Sequence, residues 1–379
     1  MTAHSARVTR KLARFAAAFS FAAIATMSIV PATAAVFGKD DRVSVPPQYE
    51  TIAARVGLLF NNRTQTVCSA FCVAENVIAT AAHCIARGQP KNAVRFEDFT
   101  FARNFDRTND LSKIEGIASN SAPQNIVTGD FKLRVRPPID AVHDWAIIKL
   151  QRKGCSAGGL PVQALPFEEL AAESVAGKIF QISYHRDWAR WRPAYSKPCA
   201  VARNFDSVTW PMISPDFLNP EKMILHTCDT GGASSGSPLL LDGPDGPVVI
   251  GINVGTYVQS KIVTQSGQVT MRQTSETVAN TAVSAQVFAG QVQAMRNAIV
   301  LPSGRPIRDL QERLKLLGYY SGPIDTVYGP TLKSAIEAYE AAANLPVTGL
   351  ASRQLLSRMV EEAARGGAVT PSSGLKMPR

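Results

Sequence analysis

The chain has 379 residues, a net charge of +10, 45% hydrophobic residues and 18% charged residues. This length allows two domains, and the composition is that of a folded protein rather than a disordered one. No stripe of basic and aromatic residues predicts nucleic-acid binding, so the charge indicates at most an affinity for anionic surfaces such as wall polymers.

The first 35 residues predict a secretory signal peptide. Four basic residues precede an apolar run at 15–30, and Ala32-Thr33-Ala34 offers the small residues of a cleavage site. An uncleaved membrane anchor is the alternative, but the run is short for a span. Removing 1–35 takes away the four positive charges and lowers the net charge to +6. We expect a periplasmic or extracellular protein with no transmembrane anchor after signal removal.

The region from about 45 to 280 has the pattern of β-strands. Short apolar runs, such as RVGLLF at 55–60 and KIFQISY at 178–184, are separated by turn residues. Such a pattern predicts an all-β barrel or sandwich. Residues 283–298 then change to a helical pattern.

The C-terminal part predicts a small domain of three helices. Segments 308–318, 331–345 and 352–365 place apolar residues at helical spacing, with glycines and prolines between them. The predicted segments are 1–35 for the signal peptide, 36–299 for the β-rich domain, 300–306 for a linker, 307–362 for the helical domain and 363–379 for a disordered tail.

Three residues form a candidate catalytic set: His83 in ATAAHC, Asp144 at the start of DWAIIKL, and Ser235 in GGASSGSP. A serine hydroxyl needs a base to become a nucleophile, and histidine suits that role near neutral pH. A carboxylate then fixes the tautomer of the histidine. The alternatives are a plain polar turn at 234–237, a structural His83, and Asp140 as the acid.

These motifs carry a family resemblance. CSAFCVAENVIATAAHC, DWAIIKL and CDTGGASSGSP together resemble the chymotrypsin-like (trypsin-like) serine peptidases. SGSP and the GKDDRV stretch at 38–43 are similar to the bacterial V8-like branch of that family. The resemblance covers about 40–295 and implies a mostly β fold of two six-stranded barrels, with the active site between them and no metal or organic cofactor.

The resemblance also implies the roles of single residues. The nucleophile directly precedes Gly-Ser-Pro, which selects Ser235 over Ser234 and Ser237. The backbone N–H groups of Ala233 and Ser235 would form the oxyanion hole. The family usually has glycine where this chain has Ala233, and an alanine held at positive φ is strained by about 1 kcal/mol. This departure favours a weak or inactive enzyme.

The substrate pocket is expected to involve Asp229, Thr230 and Asn253. Asp229 lies six residues before Ser235, where trypsin-like enzymes place the acid that binds Arg or Lys. Glutamate-selective relatives have Thr or Ser at the position of Thr230 and a histidine at the position of Asn253. We therefore expect cleavage after basic residues. His185 and His226 are expected to be structural or surface groups.

The six cysteines are expected to form disulfides, because the protein is predicted to be exported. By the resemblance, Cys68 pairs with Cys84 around the histidine loop and Cys199 pairs with Cys228. Cys72 and Cys155 remain, and their pairing is open. A zinc site built from Cys68, Cys72, His83 and Cys84 is the alternative, although the ligand spacing fits zinc poorly.

The C-terminal domain resembles a three-helix peptidoglycan-binding domain. The matching pieces are LQERLKLLGYYSGPID, YGPTLKSAIEAYE and LPVTGLAS within 307–359. The sequence departs at Thr326, where glycine is common, and at Glu340, where glutamine is usual. Tyr319, Tyr320 and Asp325 are the candidate exposed wall-binding residues. A protein-docking or purely structural module is the alternative.

The sequence therefore predicts a secreted or periplasmic serine endopeptidase that acts on a protein or peptide substrate and is tethered to peptidoglycan. Two rival hypotheses remain: an inactive protease-fold scaffold of the cell envelope, and a hydrolase that cuts the peptide stems of the wall.

Overall fold

The computed structural model describes residues 35–86, 98–103, 105, 111–113, 125–129, 133–150, 152–188, 191–196, 198–206, 208–262 and 273–365. The predicted signal peptide lies outside these ranges except for Ala35. The predicted tail, 363–379, lies outside them after residue 365, and its residues 363 and 364 are helical.

Fourteen strands are described. They are β1 (Val43–Ser44), β2 (Val56–Asn61), β3 (Thr66–Ala74), β4 (Val77–Thr80), β5 (Phe99–Arg103), β6 (Leu111–Lys113), β7 (Ile126–Thr128), β8 (Ala146–Lys149), β9 (Ile179–Tyr184), β10 (Pro193–Ser196), β11 (Met223–His226), β12 (Pro238–Gly243), β13 (Gly246–Ile262) and β14 (Gln273–Ser284). The α-helices are α1 (Glu50–Ala53), α2 (His83–Ala86), α3 (Phe167–Val175), α4 (Trp210–Ile213), α5 (Ala285–Asn297), α6 (Arg305–Leu316), α7 (Pro330–Ala342) and α8 (Arg353–Ala364).

The strands form two antiparallel sheets. One has the order β6-β5-β2-β3-β4-β8-β7 and the other the order β1-β10-β9-β12-β13-β14-β11. The predicted mostly β class with two sheets and C-terminal helices is confirmed, although each described sheet has seven strands instead of six. The added strands lie at sheet edges, such as the two-residue β1.

The apolar runs of the sequence become strands that are buried on both faces. All six residues of β9 are buried, which explains why KIFQISY is a nearly continuous apolar run instead of an alternating one. Phe71 of the first sheet, Phe180 of the second and Phe288 of α5 belong to one apolar core. The two sheets and α5 therefore form one packed unit.

Helices α6, α7 and α8 form the helical module, which has its own apolar core. Apolar residues at helical spacing in its three segments are buried, among them Leu310, Leu314, Leu317, Ala335, Ile336 and Leu355. Ser352 caps α8, because its Oγ accepts a hydrogen bond from Leu355 N at 3.2 Å.

The prediction that Tyr319 and Tyr320 are exposed is wrong, because they are only 4% and 5% exposed. Gly318, with φ of +82°, reverses the chain after α6, so both rings turn back into the module. Tyr319 packs edge-on against Tyr339 with ring centroids 5.6 Å apart, and Tyr320 Oη donates to Pro323 O.

The segment after α5 pairs directly with the helical module. Val300 forms an antiparallel bridge with Ser352, and Leu301 N donates to Ala351 O at 2.9 Å. Leu350 of the module belongs to the apolar core of the two sheets. The first two residues of the predicted linker are thus hydrogen-bonded to the module.

Candidate active site

The neighbouring strands β4 and β8 bring His83 and Asp144 together. His83 follows β4 by three residues, Asp144 precedes β8 by two, and Thr80 is paired with Ala146. His83 Nδ1 lies 2.7 Å from Asp144 Oδ2, and His83 N donates to Asp144 Oδ1 at 2.9 Å. The carboxylate thus holds the ring by Nδ1–H and leaves Nε2 available as a base.

Asp140, the rival acid, has a different partner. Its Oδ1 lies 2.7 Å from His143 Nδ1, and the His143 side chain is 45% exposed. Asp144 is 6% exposed. The structure therefore places Asp144, and not Asp140, against His83.

Ser235 lies on a tight turn that packs against β3. Ser69 N of β3 donates to Ser235 O at 2.8 Å. Gly236, at φ +84°, leaves no room for a side chain, since a Cβ there would lie 2.3 Å from Ser69 O. The Cys84 sulfur is 3.8 Å from His83 Nε2 and 3.7 Å from Ser235 O. Nucleophile and base therefore flank the same disulfide.

The hydrogen bond from Ser235 Oγ to His83 Nε2 is not formed within the described chain. Catalytic hydrogen bonds are commonly long without substrate and tighten in the complex. The absence of this bond is therefore compatible with the predicted roles of Ser235 and His83.

The turn before Ser235 leaves two backbone N–H groups without a protein acceptor in the described part of the chain. Ala233 adopts φ +81°, the positive value at which an alanine is strained. Among the described residues, neither Ala233 N nor Ser235 N donates to a protein acceptor. Two neighbouring free N–H groups on the nucleophile turn could bind a developing oxyanion.

All six cysteines form disulfides. Cys68–Cys84 and Cys199–Cys228 pair as the resemblance implied, and Cys72, whose partner was open, pairs with Cys155. The zinc alternative needs thiolates, and its sulfurs are already bonded to one another or to Cys155. The bridges that close 16 and 83 residues stabilise the fold by about 3 and 4–5 kcal/mol on the loop-entropy model.

Comparison with known proteins identifies the two parts of the chain. Residues 68–252, which contain His83, Asp144 and most of both sheets, match the family model described as "Trypsin-like peptidase domain". The chain carries a trypsin-like peptidase domain. Residues 303–359 match the family model described as "Putative peptidoglycan binding domain", so the helical module is a domain of that family.

The matched relatives share only short stretches with this chain. Two curated proteins named "Putative OxPP cycle protein OpcA" are 38% identical over 58 residues in Nostoc punctiforme and 41% identical over 61 residues in Synechocystis sp.. Each match covers 15% of this chain, and the chain spans only 12% and 13% of the length of those relatives.

Two solved structures are similar to this chain. "Structure of Glu endopeptidase in complex with MPD" has a TM-score of 0.46 at 16% identity and covers 69% of this chain and 99% of its own. "Crystal structure of a thermostable serine protease AL20 from extremophilic microoganism" has a TM-score of 0.38 at 17% identity and covers 64% and 96%.

The carboxylate predicted to attract Arg or Lys is already occupied. Asp229 is 2% exposed, and its two oxygens accept hydrogen bonds from Phe37 N at 2.8 Å and Asp41 N at 3.0 Å. A carboxylate with both oxygens bonded by backbone is poorly placed to pair with a substrate cation. We correct the predicted role: Asp229 anchors the segment 35–42 to the peptidase domain.

The other two predicted pocket residues also make internal contacts. Thr230 N donates to Ala35 O at 2.9 Å, and Ala35 N donates to Thr230 Oγ1 at 3.2 Å. Ala35 is the last residue of the predicted signal peptide, so these two bonds belong to the uncleaved chain. Asn253 Nδ2 donates to Ser234 O at 3.3 Å, and its Oδ1 lies 3.2 Å from His226 Nε2. Thr230 and Asn253 are neutral, so neither side chain offers a charge that could pair with a charged side chain of a substrate.

Two buried histidines, predicted as structural or surface groups, lie beside this turn. Burial lowers the pKa of His185 and the pKa of His226 to about 4. His185 Nδ1 accepts from Gly231 N at 2.8 Å, and His226 Nδ1 accepts from Cys228 N at 3.3 Å. Both rings are therefore neutral at pH 7 and act as acceptors for the backbone of the turn.

Acid should destabilise the peptidase domain through these histidines. Between the ordinary pKa of 6.5 and a folded pKa of about 4, the unfolded chain binds protons that the folded chain does not. The free energy of unfolding then falls as pH falls, by about 1.4 kcal/mol per pH unit for each histidine. Urea unfolding between about pH 7 and 4.5 measures this slope.

His226→Gln is the informative variant, because the amide can still donate to Asn253 but does not titrate. We expect a smaller pH slope in this variant than in the wild-type protein. An unchanged slope in His226→Gln would contradict the assignment.

The peptidoglycan-binding-type domain uses its two unusual residues internally. Thr326 adopts φ +65°, which explains why glycine is common there, and its N donates to Gln311 Oε1 at 3.0 Å. Glu340 Oε2 accepts hydrogen bonds from Thr348 N at 2.5 Å and from Gly349 N at 2.8 Å. Burial raises the pKa of Glu340. Of the three predicted wall-binding residues, Asp325 alone is exposed, and its Oδ1 accepts from Gln311 Nε2 at 2.6 Å.

No helix in the described ranges is long and apolar enough to span a membrane.

Proposed function

We propose that this chain is an exported serine endopeptidase held at the cell wall by its C-terminal domain. The observation that carries the proposal is the 2.7 Å contact between His83 Nδ1 and Asp144 Oδ2, next to a turn that presents Ser235 with two free N–H groups. A base, its orienting carboxylate, a serine and an anion-binding turn are the parts that acyl transfer requires.

The chemistry follows from these parts. His83 Nε2 takes the proton of Ser235 Oγ as the oxygen attacks the carbonyl carbon of the substrate. The N–H groups of Ala233 and Ser235 receive the oxyanion, and His83 returns the proton to the leaving amine. Water then repeats the sequence on the acyl-enzyme and regenerates Ser235.

Casein provides the first test. We expect the mature protein to release fragments and a fluorophosphonate to stop the reaction. Mass spectrometry of the fragments gives the residue before each cut. Because the Asp229 carboxylate is occupied, we expect no concentration of cuts after Arg or Lys. Intact casein together with an unlabelled protein would overturn the proposed activity.

A non-catalytic scaffold is the second candidate, and Ala233 favours it. A non-glycine residue at φ +81° is strained, and relaxation of that residue would turn its N–H out of the hole. Fluorophosphonate labelling separates the two functions, since a scaffold with a collapsed hole would not be labelled at Ser235.

Location at the cell wall rests on separate observations. Three disulfides are typical of an oxidising compartment, and the C-terminal domain belongs to a family described by peptidoglycan binding. We expect the full chain carrying Ser235→Ala to sediment with purified peptidoglycan. Protein that stays in the supernatant would contradict the tether, and stem fragments released by wild type would identify the wall itself as substrate.

A further inference from the structure

The oxyanion turn contains a strained residue whose two flanking carbonyls are both held from outside the turn. Ala233 has φ +81°, a conformation that glycine adopts freely and that costs alanine about 1 kcal/mol. Gly232 O accepts from Arg186 N at 2.6 Å, and Ala233 O accepts from Ser69 Oγ at 3.0 Å.

These two hydrogen bonds fix the direction of the N–H groups in the turn. In a planar trans peptide the C=O and the N–H point in opposite directions. The bond from Arg186 N to Gly232 O therefore turns Ala233 N–H away from the end of β9. If Ala233 relaxed to negative φ by rotating that peptide, this bond would break and the N–H would leave the hole.

Ser69 holds the other side of the same torsion. The φ angle of Ala233 lies between the peptide fixed by Arg186 and the carbonyl of Ala233, so a change of φ that keeps the Arg186 bond must move this carbonyl. Ser69 is fully buried in β3, and its Oγ accepts from Tyr184 N at 3.1 Å while it donates to Ala233 O. Its own N donates to Ser235 O at 2.8 Å. A single residue of the first sheet thus binds the turn on both sides of Ser234 and is itself held by the last residue of β9.

A further contact of the turn, at Gly231, is neutral and buried. Gly231 N donates to His185 Nδ1 at 2.8 Å, and His185 Nε2 lies 2.8 Å from Ser183 Oγ. A Cβ on Gly231 would lie 2.1 Å from Asp187 Oδ1, so the side chains of Asp187 and Arg42 pack directly against the backbone of Gly231. The turn is therefore held at Gly231, Gly232 and Ala233 in succession.

We propose that Ser69 is a positioning residue that holds Ala233 in the conformation needed for the oxyanion hole. The inference rests on the proposed function, because it concerns the rate of acyl transfer at Ser235. Ser69 touches neither substrate nor reacting atoms, and it acts through the carbonyl of Ala233. The hydroxyl compensates for the absence of glycine at position 233.

The test is a cycle of Ser69→Ala and Ala233→Gly, assayed with a fluorogenic peptide built on the fastest casein cut. Loss of one buried hydrogen bond should lower kcat about tenfold in Ser69→Ala, with KM changed less than about twofold. Glycine adopts φ +81° without help, so Ala233→Gly should restore kcat in the double variant to within about threefold of wild type.

Ser174→Ala is the matched control. The Ser174 hydroxyl makes the same pair of bonds, donating to Cys199 O at 3.3 Å and accepting from Val201 N at 2.7 Å, but it lies on α3. We expect this variant to keep the wild-type kcat. An equal loss of kcat in Ser174→Ala and Ser69→Ala would show a general effect of stability and overturn the inference.

Two further results distinguish the possible failures. Wild-type protein that a fluorophosphonate does not label overturns the proposed function, and this inference with it. Labelled wild type with unchanged kcat in Ser69→Ala overturns the inference alone. If Ser69→Ala does not fold, Ser69→Cys takes its place, because a thiol is a much weaker hydrogen-bond donor of similar size. A loss of kcat that Ala233→Gly reverses in the double variant supports the inference, and an unchanged kcat or a loss that is not reversed overturns it.

Discussion

Ser235→Ala is expected to lower kcat on the casein-derived peptide by about 10⁵- to 10⁶-fold. The substitution removes the hydroxyl oxygen proposed to form the acyl-enzyme and leaves the backbone of the turn unchanged. Its backbone N–H still faces the hole, and Ser69 N still donates to its carbonyl oxygen. KM should therefore stay near the wild-type value, and the thermal midpoint should not fall. Initial rates and thermal unfolding of both proteins measure these effects.

The neighbouring serines provide an internal control for that experiment. Ser234 Oγ accepts from Asn253 Nδ2 at 3.3 Å, and Ser237 Oγ donates to Ser234 O at 2.7 Å. Both are buried and hydrogen-bonded within the turn. Peptide mapping of the fluorophosphonate adduct should find it on Ser235 alone. An adduct on Ser234 or Ser237, or full activity in Ser235→Ala, would contradict the assignment.

The sequence predicted the contacts whose geometry follows from local order along the chain. Asp144 stands before an apolar run and His83 follows another, so pairing of these two runs as neighbouring strands brings their ends together. The Cys68–Cys84 disulfide, which the family resemblance implied, is confirmed around the same loop. The helical spacing of Leu310 and Leu314, four residues apart, likewise predicted one buried face of α6.

The errors concern contacts between residues far apart in the chain. The partners of Asp229 lie near residue 40, almost two hundred positions away, and no local pattern shows that backbone N–H groups will occupy its carboxylate. Tyr319 and Tyr320 follow a helix in a polar stretch that looks exposed. Their burial depends on the turn at Gly318 and on the position of Tyr339 in the next helix.

Contacts with residues far along the chain also change how Ala233 is interpreted, at a position where the family usually has glycine. In the sequence, alanine in place of glycine favours an inactive protein. In the structure, the residue has the positive φ that the turn requires, and hydrogen bonds from Arg186 and Ser69 hold the carbonyls on either side. A residue that is unfavourable by itself is thus compatible with an open oxyanion hole when β3 and the end of β9 hold it.

Asp144→Asn is expected to lower kcat by about 10⁴-fold with little change in stability. The amide oxygen can replace Oδ1 and keep the bond from His83 N, which leaves the NH₂ group facing His83 Nδ1. A donor at that place requires Nδ1 to accept, so the ring proton moves to Nε2. A ring protonated on Nε2 cannot take the proton of Ser235.

Asp140→Asn is the matched control for that loss, because the described residues contain a second Asp–His pair of the same length. The Asp140–His143 contact is also 2.7 Å, but the His143 side chain is 45% exposed and the pair does not involve His83. We expect Asp140→Asn to keep kcat within about threefold of wild type, as for other exposed pairs. Equal losses in the two variants would mean that local charge, and not the tautomer of His83, sets the rate. A large loss confined to Asp144→Asn leaves the orientation of His83 as the cause.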